Sequence, residues 1–299
     1  MCRLFIIIGF LLLQIKVFAQ ITFCGIKTYP PLTFSDGARQ KLEKDLSDAR
    51  DIYLKDIKNA DAIIWYGRRQ AYLGRYDAAI ETYSDGIRLH PNDARMYRHR
   101  GHRYLTTRCY NKAINDFKKA AAIIKNKKDE IEPDGMPNEK NIPTSTLQSN
   151  IWYHLGLAYY LKRDFKSAEK AYKECLKVST NPDMYVATAN WYYITLLEQK
   201  KTKEAEAILN TISEDMLLIE NEGYLTILLL YKNKADADQL RLNLLSETQT
   251  INNTTIGFGL GNYYRLTGEK QKAKEVLQKV TESIQWGSFA FMAAELWSE

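Results

Sequence analysis

The sequence predicts an all-α stack of antiparallel helix pairs, and three observations predict it. A set of small and aromatic residues recurs at spacings close to 34 residues. Gly and Pro number only 15 and 7 in 299 residues, too few for a fold of many short strands and turns. The chain is 45% hydrophobic and 26% charged, which is the make-up of a folded globular protein.

The elements follow in order. Arg3 precedes a ten-residue apolar run, Leu4 to Leu13, which Gln14 and Lys16 end. That run is short of the roughly 20 apolar residues that a membrane-spanning helix needs. Val17-Phe18-Ala19 places small or branched residues at a cleavage site, so residues 1–19 read as a secretory signal peptide cut after Ala19. The chain is therefore expected to be exported, periplasmic or secreted. Anchoring as a lipoprotein at Cys24 is the minor alternative, because Phe23 is too large to precede a lipidated cysteine comfortably. Cleavage leaves Cys24, Cys109 and Cys175, an odd number at scattered spacing and with no C-x-x-C pair. No disulfide framework and no zinc cluster is expected from them, and Cys109 and Cys175 read as small buried residues. No transmembrane segment is expected in the mature chain, whose formal charge is 40 − 36 = +4.

Residues 20–37 form an extended arm, rich in Pro and Thr near its middle. Residues 38–59 make an amphipathic capping helix, with Leu42, Leu46, Ala49, Ile52 and Tyr53 on one side. Residues 60–124 then hold two copies of a repeat. Gly67, Tyr76, Ala79, Tyr83 and Gly86 of the first become Gly101, Tyr110, Ala113, Phe117 and Ala120 after 34 residues. After 55 more come Gly156, Phe165, Ala168, Tyr172 and Cys175. The excess holds an inserted loop, residues 125–147, with Lys, acidic residues, three Pro and one Gly. Residues 148–285 carry the third to sixth copies. Tyr193, Thr202, Ala205, Leu209 and Ile212 are a weak copy, residues 216–250 a degenerate one, and Gly261, Lys270, Ala273, Leu277 and Val280 a clear one. Each copy reads as two helices, with a small residue of the first meeting a small residue of the second. Residues 286–299 hold a final helix that covers the open end of the stack, because each unit buries its apolar face only against neighbours.

This pattern resembles the tetratricopeptide repeat, most clearly at Trp152, Leu155-Gly156, Tyr159, Ala168 and Tyr172. The resemblance implies a right-handed superhelical solenoid of about five to six repeats whose first helices line a concave groove. In the copy containing Gly101 the groove places are Arg95, Arg98, His99 and His102, on one stripe by their spacing. Trp65, Arg68 and Tyr72 take these places in the first copy, Tyr153, His154 and Tyr160 in the third, and Asn190 and Trp191 in the fourth. Charge concentrates there: residues 60–124 have 12 Lys+Arg against 6 Asp+Glu, so +6, while the rest of the mature chain is 4 − 6 = −2. Arg offers a planar donor fork suited to carboxylates. Arg100 stands where the family has Leu and is expected to reach water or pair with an acid. The family's Lys and Asn clamp for chaperone tails is missing, since Ile64 and Arg68 hold those places.

The leading expectation is a non-catalytic scaffold that binds an extended, acidic protein segment in the groove, with no cofactor and no nucleic acid. The groove histidines would add pH sensitivity near pH 6–7. An alternative is an envelope glycan stacked on Trp65, Tyr153, Tyr160 and Trp191. A third is a partner docking on residues 125–147. His99, His102 and His154 are weighed as zinc ligands and set aside, because Arg95, Arg98 and Arg103 would repel a cation. No hydrolase elbow, Walker loop or dinucleotide-binding glycine pattern is present, so no enzyme activity is expected. Neither the partner's identity nor the oligomeric state follows from the sequence.

Overall fold

The second helix of each aligned copy starts at the residue that the repeat marks. The computed structural model describes Cys24 and residues 28–133, 135–246 and 250–297. The expected signal peptide lies outside the described residues. The helices are α1 (Asp36–Lys55), α2 (Ala60–Tyr72), α3 (Tyr76–Leu89), α4 (Ala94–Thr106), α5 (Tyr110–Ile124), α6 (Leu147–Leu161) and α7 (Phe165–Val178). They continue as α8 (Pro182–Glu198), α9 (Thr202–Leu209), α10 (Glu222–Tyr231), α11 (Ala237–Ser246), α12 (Ile251–Thr267), α13 (Lys270–Thr281) and α14 (Phe289–Glu295). Tyr76, Tyr110, Phe165, Thr202 and Lys270 are the first residues of α3, α5, α7, α9 and α13. From α1 to α9 and from α11 to α14 each helix packs on the next, and α10 bridges α8 and α12, which builds a helical solenoid. None of these helices is long and apolar enough to cross a membrane.

Two local rules repeat along the stack. First helices open on a polar cap whose side chain accepts a backbone N–H: Asn59, Asp93, Thr146, Asn181 and Thr250. The turn from first to second helix carries one residue at left-handed φ, two places before the second helix. Gly74 and Gly268 take it at no steric cost, but Arg108, Arg163 and Lys200 take it too, at φ 60, 58 and 59°. A bulky residue kept in that region points to a task for its side chain.

The pairing inside a repeat differs from the expected meeting of small residues. The ring of the second helix lies over the glycine of the first. A Cβ on Gly67 would sit 2.5 Å from Tyr83, on Gly101 3.0 Å from Phe117, and on Gly156 2.4 Å from Tyr172. Ala79, Ala113 and Ala168 are fully buried beside them. Tyr172 has no exposed surface, so its ring must shift within the core. Gly156→Ala should therefore lower stability by about 2 kcal/mol, because overpacking of 1–3 kcal/mol outweighs the ~1 kcal/mol that Ala adds in a helix interior. Urea unfolding followed by circular dichroism would measure it, and a stabilised variant would refute the packing.

Two further expectations are corrected. Ile52 does not join the packing side of α1 but is 57% exposed, beside a cavity of about 650 Å³ between α1 and α2. Cys109 is not a lone buried thiol. It is joined to Cys24 by a disulfide across 85 residues of sequence, whereas Cys175 is buried and free as expected.

The last helix packs on α12 and α13, the end of the stack, and its start also reaches into the groove. Phe289 at its start packs on His102, Tyr153 and His154, with ring centroids 5.5, 6.2 and 5.2 Å away. Just before it, Trp286 stacks on Tyr29 of the N-terminal arm at 5.1 Å and meets the edge of Tyr76 at 5.9 Å. The indole of Trp286 donates to the Pro30 carbonyl at 3.0 Å. The two left-handed arginines hold the same segment. Arg108 pairs with Glu295 at 3.0 Å and donates to the Trp286 carbonyl at 2.8 Å. Arg163 donates to the Leu296 carbonyl at 2.5 Å and lies over the Trp297 ring. The arm that carries Tyr29 and the segment that carries Trp286 thus meet at the first repeat.

Candidate functional site

The groove is occupied by the chain itself, and its basic half holds the insertion. Glu132, Pro133 and Gly135 of the insertion lie against the stripe contributed by α2 and α4. Arg68 Nη1 donates to the Pro133 carbonyl at 2.7 Å, and Arg69 Nη1 donates to the Gly135 carbonyl at 3.0 Å. Arg68 is itself held by its Nε, which donates to the Tyr72 hydroxyl at 3.1 Å, and by stacking over Trp65 at 4.5 Å. Glu132 enters between α4 and α6 and is 7% exposed. Its carboxylate lies 3.0 Å from Arg98 Nε and 3.1 Å from His99 Nε2, and Asn150 Nδ2 donates to it at 3.0 Å. One carboxylate of the chain's own insertion therefore lies against Arg98 and His99, and two of its backbone carbonyls meet Arg68 and Arg69.

The electrostatics follow from that burial. Burial alone would raise the Glu132 carboxyl, yet Arg98 and His99, with Arg68 behind them, hold it well below the usual range. Burial, with Arg98 beside it, lowers His99 to about 4 against the opposing pull of Glu132. His154 falls to about 3 for the same two causes, and His102 falls well below its ordinary value through burial and Arg103. All three rings are neutral at pH 6–7, so the expected titration near that pH is corrected downward. The His102 and His154 rings do come together, with centroids 4.5 Å apart, while His99 turns to Glu132. No group of three or more His, Cys, Asp or Glu side chains placed to hold a metal ion occurs among the described residues.

The other predicted groove residues divide. Arg95 is spent locally, with Nη2 2.6 Å from Asp93 Oδ2 and Nη1 2.6 Å from Asp61 Oδ1, and does not touch the insertion's acid. Arg100 forks onto both Asp116 oxygens at 2.8 Å, the acid pairing that its place in the repeat suggested. Tyr160 and Trp191 are completely enclosed, with rings 5.3 Å apart and Trp191 stacked on Phe258. Neither presents a face on which a sugar could stack, which removes half of the aromatic set behind the glycan reading. Asn190 is buried, and its Oδ1 lacks a hydrogen-bond partner. Tyr153 shares a hydroxyl contact of 3.0 Å with Tyr224 and borders a remaining cavity of about 530 Å³ that Asn150, His154, Asn252 and Phe289 also line. Sequence reasoning missed Arg69, Glu132, Gly135 and Asn150. Arg69 had a signal, since it adjoins Arg68 at the edge of the same stripe.

The tetratricopeptide repeat model matches residues 149–182, and a second model of the same repeat matches residues 258–285. Among solved structures, a tetratricopeptide repeat protein from Parabacteroides merdae superposes with a TM-score of 0.50 at 17% identity, covering 85% of this chain and 93% of that one. A type IV pilus biogenesis factor, PilW, gives 0.47 at 16% identity over 81% of this chain and 86% of that one. YrrB, described as a tetratricopeptide repeat protein with an unusual peptide-binding site, gives 0.45 at 15% identity over 84% and 98%. No curated protein matches the sequence. With the glycine-under-ring packing repeated along the stack and two segments matching the repeat, the chain carries tetratricopeptide repeats stacked into a helical scaffold of the kind that serves protein–protein interaction.

Proposed function

We propose that the protein is an exported, non-catalytic scaffold that holds an extended acidic segment of a protein partner against Arg68, Arg69, Arg98 and His99. One observation carries this reading. The stripe already takes a buried carboxylate and two backbone carbonyls from residues 132–135, the chemistry by which an extended peptide is gripped. Export is supported by the apolar run after Arg3 and by the Cys24–Cys109 disulfide, a bond that persists in oxidising compartments.

The test is fluorescence anisotropy with a labelled Glu-rich peptide. Binding should weaken at least about tenfold between 50 and 300 mM salt, because the screening length for charges near the surface falls from about 14 Å to about 6 Å over that range. The double variant Arg68→Ala, Arg69→Ala should reduce it by a similar factor. Binding that ignores both salt and the two arginines would refute the reading.

A further inference from the structure

We propose that Glu132, Pro133 and Gly135 are a tethered copy of the partner's recognition segment, so that the partner is read as Glu-Pro-X-Gly and displaces the insertion when it binds. This inference rests on the reading of the stripe as a receptor for an acidic segment, and it adds the sequence that the receptor selects. The stripe reads three features. The Glu132 carboxylate fits between Arg98, His99 and Asn150. The Pro133 carbonyl meets Arg68, next to a residue whose fixed φ keeps the segment extended. At Gly135 a Cβ would lie 1.8 Å from the Tyr72 hydroxyl and 2.7 Å from Arg68 Nη2, so any larger residue must push both side chains aside to keep its carbonyl on Arg69. The flanking residues are not read, for Ile131 and Met136 are 67% and 68% exposed.

The fit also leaves room for exchange. Arg98 Nε and Glu132 Oε1 are buried and lack an aligned hydrogen bond, although the ions stand 3.0 and 3.1 Å from their partners. The insertion is tied at its own base, where Leu147 N donates to the Glu130 carbonyl at 2.9 Å and Ile131 bridges Thr146. A separate peptide carries no such tie and can align its carboxylate fully. It must still compete with a segment whose tether gives it an effective concentration in the millimolar range. Weakening the resident segment should therefore reveal binding that the native chain masks.

The experiment uses a fluorescent peptide of residues 128–138, titrated into the full chain and into Glu132→Gln. The variant keeps the shape of the resident segment and removes its charge. It should bind the peptide at least tenfold more tightly than the native chain. Gly135→Ala, which drives the resident segment off Tyr72, is the second variant and should do the same, so that one misfolded variant leaves the test intact. A peptide with Ala in place of the glycine matching Gly135 should lose at least tenfold on either variant. Equal binding of that peptide, or of a scrambled acidic one, would overturn this inference while leaving the acidic-segment reading standing. Failure of every acidic peptide on both folded variants would overturn both.

Discussion

Cys24→Ser, or reduction of the native protein, should lower the thermal midpoint by on the order of 10 °C and unseat the C-terminal helix. The disulfide closes 85 residues of sequence, and the loop-entropy relation gives about 4–5 kcal/mol for a loop of that size. In a chain of this length each kcal/mol is worth roughly 2–4 °C. The loss should be local first, because the bond fastens the arm that carries Tyr29. Tyr29 stacks on Trp286, lies under Arg108 and hydrogen-bonds Glu295. Once the arm leaves, Trp286 and α14 lose one wall, and hydrogen exchange at residues 286–297 should rise before that of α6 or α8. Cys175 supplies the control. Burial pushes its thiol up to about 12, so it should resist alkylation until the protein unfolds. Unchanged exchange in residues 286–297 after reduction would mean that the arm does not hold the helix.

What the sequence made legible was local and periodic. The aligned residues placed the first turn of α3, α5, α7, α9 and α13, because an apolar face must recur wherever helices stack. They also marked the basic stripe, whose spacing puts Arg98 and His99 on one side of α4. What stayed hidden joins residues far apart in sequence with no period to betray them. Cys24 and Cys109 were an odd pair among three cysteines. Glu132 was one acid among several in a charged loop, and nothing local says that it enters the groove rather than water. Trp286 and Phe289 looked like an apolar cap alone, because an apolar helix after a repeat array can cover its end, enter its groove or do both. Only Arg108 and Arg163 could have tipped that choice, since a long side chain at the turn's left-handed position needs a reason to be there. The finished structure supplies it, for both hold the returning segment.

Acidification should destabilise the protein well before its carboxylates titrate, with the thermal midpoint falling by on the order of 10 °C between pH 7.5 and 5. His99 and His154 are buried and His102 is half-buried, all three neutral and facing Arg68, Arg98 and Arg103 on α2 and α4, with Glu132 of the insertion among the charges that act on His99 and His154. The sign is set by the lowered values. In the unfolded chain each imidazole takes a proton below about 6.5, while His99 and His154 resist until about 4 and 3. Protons therefore favour the unfolded state throughout that window, at up to about 1.4 kcal/mol per pH unit for each ring. Glu132 adds to the loss only at lower pH. Its folded value is depressed, so its contribution is complete above about 4.5 and fades as pH falls further. His154→Phe should flatten the pH dependence by about a third, because one of three resisting rings is gone and Phe117 and Phe289 already pack around it. Melting curves at half-unit steps from pH 7.5 to 5 would check both statements. A midpoint that holds steady to pH 5 would mean that these rings take protons freely, and hence that water reaches the centre of the groove.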